Sequence, residues 1–366
     1  MNDIQAVTPP PMSPAIAQRA ALFEKWAHRH GVEAAARLAQ AEDFADAVAA
    51  EIRPENTEDT YTKSWRVWER FCAAQGFPLT EGSRGALVAY VTWLLREGRQ
   101  KPGPGGVLGY APASARLHLD AAIVGLRRAG HTVTKDDAAE ARIALDGLEV
   151  KLIKAKERRG RGQAAAADPD GLYAIAAACD DDSLEGRRDL ALILTGFHYA
   201  SRASEPAGLL NGDVSVRAQG LIVNVLTGKT KHSVRSPKIR YASDPVICPV
   251  RAWIAYRQAL VAHGGSAHES PSDSAFHWID QHGNIRGPLG PDGVTRAIRR
   301  IAARAGIPIK WTGHSLRSGL ASTGRRKGKD AVAIADQGGW ARHSRSMLGY
   351  MQRDDGWDDN ASAGLT

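Results

Sequence analysis

Apolar residues recur along the first half of the chain at helical spacing. Between Thr57 and Ala74, Tyr61, Trp65, Trp68, Phe71 and Cys72 fall at i, i+4, i+7, i+10 and i+11, which draws one apolar stripe down a helix. A stripe of this kind is a core face, and we read it so rather than as a platform for stacking bases. Ser83 to Glu97 repeats the pattern with Leu87, Tyr90, Val91 and Leu94 inward. A Gly/Pro loop over Lys101–Tyr110 then separates two further helices, Pro112–Ala129 and Lys135–Ala155. Upstream, Ala15–Ile52 reads as two helices broken at Gly31, with Pro54 as a stop, and the Pro-rich stretch 1–14 as a disordered tail.

After residue 168 the pattern changes. Helices are expected over Leu172–Ala178, Gly186–Tyr199, Val250–Ala262, Asp292–Ala305, Ser315–Lys327, Asp330–Gly338 and Ser344–Arg353. Between them, Leu221–Leu226 (LIVNVL) reads as a strand, Lys229–Ser236 as a tight polar connection and Pro237–Tyr241 as its return. Phe276–Trp278 with Asn284–Arg286 reads as a small hairpin. The expected fold class is mainly α: a helical domain followed by a mixed α+β domain with a small antiparallel sheet. The expected organisation is a tail 1–14, a helical extension 15–54, a helical domain 55–156, a basic linker 157–167, a second domain 168–355 and a C-terminal tail 356–366. Gly160–Ala165 fits GxGxxA, but no strand precedes it, so a dinucleotide site is not expected.

Charge adds a partner class. The chain carries a formal +8, and the positive residues come in blocks. Lys151–Arg161 holds six basic residues against Glu157; Thr227–Arg240 holds five and no acid; Arg296–Lys310 also holds five and no acid. Several such runs favour phosphate contacts, and Arg158, Arg159, Arg161, Lys231 and Arg235 are the candidate DNA-gripping side chains. No apolar run nears the ~18 residues of a membrane span, and 1–14 lacks the form of a signal peptide, so a cytoplasmic protein is expected. Cys72, Cys179 and Cys248 are far apart and read as buried free thiols. His263, His268 and Glu269 lie in a Gly/Ser loop and are not read as metal ligands; no metal or cofactor is expected.

Four islands in the second domain carry candidate chemistry: Arg202 with Glu205; Lys229 and Lys231 after the strand; His314 with Arg317; and Gly338-Gly339-Trp340, followed by Tyr350. Each alone is ordinary, and GHSLR lacks the G-x-S-x-G of a hydrolase elbow. In this order they resemble the tyrosine recombinase family of phage-type integrases, whose signature runs Arg-x-x-Glu, a hairpin Lys, His-x-x-Arg, a His or Trp in a Gly-rich turn, and a nucleophilic Tyr. CPVRAW at 248–253 also resembles integrase sequence. The resemblance covers about 165–360 and extends weakly over 55–155, which is similar to the family's core DNA-binding domain.

The resemblance implies a catalytic set of Tyr350 as nucleophile, Arg202 and Arg317 as a phosphate clamp, His314 as base, Lys229 as general acid and Trp340 as phosphate donor and packing residue. Lys231 is the alternative acid, and Glu205 an orienting group. The interval from Trp340 to Tyr350 is one residue longer than the family pattern, which leaves His343 as a rival for the Trp340 place. Implied partners are double-stranded DNA, a homotetramer in the synaptic complex with 356–366 docking in trans, and an accessory directionality factor; no membrane is implied. A type IB topoisomerase and a non-catalytic DNA-binding protein on the same scaffold are the competing readings.

Overall fold

The computed structural model describes residues 14–51, 55–157, 159–160, 162, 164–227, 233–342 and 344–351. The chain divides into two compact units, Met1–Gly162 and Gln163–Thr366.

The first unit is helical throughout its described residues. Helices α1 (Pro14–His30) and α2 (Val32–Glu51) pack on each other and part at Gly31. A bundle follows of α3 (Glu55–Gln75), α4 (Arg84–Arg96), α5 (Pro112–Arg128) and α6 (Lys135–Lys154). The aromatic stripe of α3 does face the core: Trp68 and Phe71 are fully buried, as is Tyr90 of α4. Trp68 and Tyr90 meet edge to face at 4.9 Å, and the Trp68 indole N–H donates to the Leu79 carbonyl at 2.9 Å, which satisfies the one polar atom that burial would strand. Helix α6 starts on a capped turn, the Thr134 hydroxyl accepting from the Asp137 N–H at 3.0 Å.

The second unit is built around α8 (Leu184–His198), against which α7 (Pro169–Ala178), α10 (Pro249–Gly264), α11 (Pro291–Arg304) and α12 (Gly313–Arg326) pack. Leu192, Ile193, Leu194, Trp253, Tyr256, Ile298, Ile301, Trp311 and Leu316 form its core. A short α9 (Ser204–Gly208) leads to the strands β1 (Val214–Arg217), β2 (Gly220–Val223), β3 (Val225–Thr227), β4 (Ser233–Arg235) and β5 (Lys238–Arg240). Strands β1, β2 and β5 make an antiparallel sheet in the order β1-β2-β5, while β3 pairs β4 as a separate hairpin. The single strand expected over 221–226 is therefore two. Asn224 divides them: its backbone N–H leaves the ladder for the Asp213 carbonyl (2.8 Å), and its side chain takes the Ser236 hydroxyl (2.8 Å). The segment read as a polar turn contains β4. The expected hairpin at 276–286 is present as β6 (His277–Ile279) and β7 (Ile285–Pro288). Helices α13 (Ala331–Gly338) and α14 (Arg345–Met351) complete the unit over a small satellite core of Ala200, Ala321, Ile334, Ala335, Trp340 and Met347, with Leu320, Tyr350 and Met351 packed beside it.

A charged cluster around Arg188 lies inside this unit. Arg188 is 2% exposed and donates to Asp189 Oδ1 (2.7 Å), Glu185 Oε1 (3.3 Å) and the His277 carbonyl (2.8 Å). Arg300 adds ion pairs to Glu185 (2.8 Å) and Asp189 (2.5 Å). Two arginines thus face two carboxylates. All three cysteines are free and buried, and burial pushes the Cys72 thiol up to about 11 and Cys179 to about 12. Among the described residues no helix is long and apolar enough to cross a membrane.

Candidate active site

The site grows from the end of α8. A helix leaves its last carbonyls without intrahelical partners, and here three consecutive ones are taken by side chains from distant segments. His198 accepts from Gln337 Nε2 (2.8 Å), Tyr199 from Arg235 Nη1 (2.9 Å) and Ala200 from Arg317 Nη1 (2.7 Å). Ala200 presents its carbonyl from a left-handed backbone, φ +54°, a conformation costing an alanine about 1 kcal/mol. Two guanidiniums at a helix C-terminus also suit its partial negative charge.

The next turn carries Arg202 and Glu205. Glu205 is buried; its Oε2 accepts from the Arg202 backbone N–H (2.9 Å) and its Oε1 from the Arg202 side chain (2.7 Å). Arg235 Nη2 reaches Oε2 as well, at 2.9 Å. The Arg202 side chain remains 42% exposed, so one carboxylate fixes its position without closing it off from solvent.

Helix α12 begins where the Thr312 N–H donates to the Ser315 hydroxyl (2.9 Å), and so places His314 and Arg317 one turn apart on the same face. His314 is exposed; Arg317 is buried, 3% exposed. Arg317 Nη1 donates to both Ala200 and Gly338 carbonyls at 2.7 Å, and its guanidinium lies 3.8 Å from the Trp340 ring centroid, a cation–π contact. Its Nη2 is buried and has no partner among the described residues. Burial, then the neighbouring Arg202, brings the Arg317 pKa down to about 9, which still leaves it cationic at neutral pH. Partial burial, then Arg317 and Arg202, lower the pKa of His314.

The Gly338-Gly339 turn explains itself sterically. Gly339 caps α13 in the left-handed region, φ +63°, and a Cβ there would lie 2.5 Å from Arg235 Cδ. A Cβ on Gly338 would run into the Trp340 ring. Trp340 follows, 9% exposed, with the Tyr350 ring at a centroid separation of 6.1 Å and a 59° tilt. The Ser322 hydroxyl donates to the Tyr350 carbonyl (3.0 Å) and ties α14 to α12. Trp340 thus neighbours both the Arg317 guanidinium and the Tyr350 phenol.

The structure brings together Arg202, Glu205, His314, Arg317, Trp340 and Tyr350. Lys229, Lys231, His343, Arg158, Arg161 and the tail 356–366 lie outside the described residues. Two arginines expected to grip DNA are turned inward. Arg159 donates to Glu157 (2.9 Å) and to the Leu95 carbonyl, which pins residue 159 onto the first unit. Arg235, 9% exposed, spends both terminal nitrogens on Glu205, Tyr199 and Gln337. Strand alternation would have exposed the inversion: on β4 the apolar Val234 points outward, 63% exposed, and the arginine inward. Gln337 also escaped the sequence reading. Elsewhere, His268 Nδ1 and His277 Nε2 each stand 3.0 Å from Asp273 Oδ2, with Arg257 3.8 Å from the same carboxylate. The sequence reading considered His268 there but neither Asp273 nor His277.

Comparison with known proteins agrees with this architecture. Residues 167–355 match the phage integrase family, and the chain belongs to that family. A relative from Selenomonas ruminantium, described as an integrase/recombinase xerD homolog, is 25% identical over 315 residues, 84% of this chain and 85% of its own. The fold is shared with a lambda integrase fragment solved as a dimer bound to a COC′ core site (TM-score 0.55, 16% identity, 87% of this chain and 96% of that one). It is also shared with a lambda integrase tetramer bound to a Holliday junction (TM-score 0.53, 15% identity, 86% and 76%).

Proposed function

We propose that this protein is a site-specific DNA recombinase that cuts and rejoins double-stranded DNA through a covalent 3′-phosphotyrosine at Tyr350. The observation that carries the reading is a cationic cradle left incomplete: Arg202 and Arg235 share the carboxylate of Glu205, while Arg317, bonded to two carbonyls and stacked on the Trp340 ring that also neighbours Tyr350, keeps a buried donor without a partner among the described residues. A phosphodiester supplies what is missing, an anion with two non-bridging oxygens.

In the proposed reaction the Tyr350 phenolate oxygen attacks phosphorus, the bond to the 5′ oxygen breaks, and a free 5′ hydroxyl leaves. Reversal by a 5′ hydroxyl from another strand rejoins DNA without ATP, because the phosphotyrosine retains the bond energy. Arg202 and Arg317 hold the non-bridging oxygens as charge accumulates there. His314 accepts the phenol proton; its lowered pKa keeps it neutral, with a free lone pair, near pH 7. Lys229, with Lys231 as alternative, protonates the leaving oxygen. Glu205 orients Arg202, and Trp340 supports the Tyr350 helix and offers its indole N–H to phosphate.

Exchange between two duplexes requires four strand cuts, which favours a tetrameric synaptic form over the single-subunit action of a type IB topoisomerase. The lambda integrase tetramer on a Holliday junction supports the same assembly here. Residues 356–366 docking into a neighbouring protomer and an accessory directionality factor belong to this proposal.

The test is covalent trapping. Incubated with duplexes spanning the genomic flanks of its own gene, the protein should yield a denaturant-resistant adduct that maps to Tyr350. Tyr350→Phe should abolish the adduct and leave DNA affinity within about twofold, since one hydroxyl is removed and no charge. An adduct formed by the Phe variant would move the nucleophile elsewhere; a wild-type protein that binds but never cross-links would favour the non-catalytic reading.

A further inference from the structure

Arg235 touches more of the site than any residue the sequence reading placed there. Its Nη2 holds Glu205 Oε2 (2.9 Å), the carboxylate whose other oxygen holds Arg202 (2.7 Å). Its Nη1 holds two carbonyls, Tyr199 (2.9 Å) and Gln337 (2.7 Å). Each of these adjoins, one residue along, a carbonyl that fixes Arg317: Ala200 and Gly338, both at 2.7 Å. The guanidinium lies 5.5 Å from the buried Tyr199 ring, and Gly339 leaves it the room a side chain would fill. Arg235 therefore links the supports of Arg202 to those of Arg317. It is itself 9% exposed, with its Nε buried and unpartnered among the described residues, so phosphate does not reach its terminal nitrogens without displacing these bonds.

We propose that Arg235 is a positioning residue for the phosphate clamp: by joining Glu205 to the Tyr199 and Gln337 carbonyls, it sets Arg202 and Arg317 at the spacing of one phosphate. The proposal rests on the phosphotyrosine reading above and adds to it a residue that acts through others. A buried fork with three acceptors has no substitute in lysine, whose ammonium is a compact point charge on a flexible stem. Arg235→Lys keeps the charge opposite Glu205 but cannot serve all three acceptors in the same geometry.

The experiment compares two substrates in single-turnover cleavage. One carries an ordinary phosphodiester at the cut; the other carries a methylphosphonate there, a methyl group replacing one charged oxygen. A substrate without that charge needs the clamp less. On the phosphodiester, Arg202→Ala, Arg235→Lys and Arg235→Gln should each be slower than wild type by about 30-fold or more, the scale of a weakened transition-state contact. On the methylphosphonate each should come within about threefold of wild type. Thermal melting of every variant accompanies the rates, and Arg235→Lys decides the matter if the Gln variant does not fold. Equal losses on both substrates would mean that Arg235 merely supports the fold, and wild-type cleavage of the phosphodiester by Arg235→Lys would mean that it positions nothing; either result overturns the proposal. If Arg202→Ala is relieved by the neutral substrate and Arg235→Lys is not, the clamp reading stands and the role of Arg235 falls. If Arg202→Ala is not relieved, the clamp reading fails and takes this proposal with it.

Discussion

The second unit holds two networks of buried charge, and their difference separates support from chemistry. Around Arg188 two guanidiniums meet two carboxylates, and the Arg188 side chain is 2% exposed. Among the described residues around Arg317, Arg202 and Arg235 pair one carboxylate, Glu205, and Arg317 pairs none; the Arg202 side chain is 42% exposed, and two buried nitrogens, Arg235 Nε and Arg317 Nη2, have no acceptor. The first network is complete and gains nothing from a ligand. Among its described residues the second has more guanidiniums than carboxylates, which is costly in a low dielectric, and an anion lowers that cost on binding. A buried arginine cluster is thus better judged by its charge balance than by its burial.

Substitutions in the two networks should have opposite signatures. Arg202→Ala should slow cleavage by about 100- to 1000-fold, as for a lost oxyanion contact, with little change in melting temperature, because Arg235 still pairs Glu205. Arg188→Leu should cost about 3 kcal/mol of stability, because a buried pair loses one partner, while the folded fraction keeps its cleavage rate. Denaturant titrations and single-turnover cleavage on both variants check this; a stability loss confined to Arg202→Ala would invert the comparison.

A smaller effect should appear with simple anions. At equal ionic strength, sulfate in place of chloride should raise the melting temperature of the wild-type protein. The gain should reach about 1.4 kcal/mol at tenfold saturation of the site. The same substitution of salts should do less for Arg317→Ala. An identical shift in both proteins would show that sulfate acts by general exclusion and not at the clamp.

The smallest effect is a displaced pH limb. Burial and then two arginines lower the pKa of His314, so its cationic form is disfavoured in the folded protein. Cleavage should therefore persist as pH falls below 6.5, the ordinary histidine value, and fail only when His314 is protonated. The stability sign runs the same way. The unfolded chain takes up this proton first, so the contribution is intact above 6.5 and is lost as pH falls through the lowered value. Arg202→Ala removes one repelling charge and should move the acid limb of the cleavage rate back toward higher pH. A limb that stays in place would leave desolvation and Arg317 responsible.

The same contrast shows what could be read in advance. The stripe through Trp68 and Phe71 was legible because helical periodicity reports burial directly. The order of islands from Arg202 to Tyr350 was legible because the motif is written in residue types and intervals. Charge balance was not: it depends on which donors are spent inside the protein. Arg235 and Arg159 look alike in sequence to free basic residues, yet each is bonded to a carbonyl far along the chain, Gln337 for Arg235 and Leu95 for Arg159. The break at Asn224 was hidden because LIVNVL is apolar on either side of it, and only the Asp213 and Ser236 partners reveal where the ladder changes. Asp273 and His277 escaped because the pairing with His268 is made by a loop and a strand rather than by a motif.

The Arg317 bonds also bear on when this protein becomes active during its synthesis. Ala200, one of its acceptors, lies 117 residues earlier, but Gly338, the other, lies 21 residues later, and Tyr350 later still. A growing chain that has made Arg317 can satisfy half of that nitrogen's bonding and has neither Trp340 beneath the guanidinium nor a phenol beside it. The basic segments come off the ribosome before Tyr350. On the proposed function such a chain lacks the residue that would cut, so cutting competence would come only with the completion of α13 and α14.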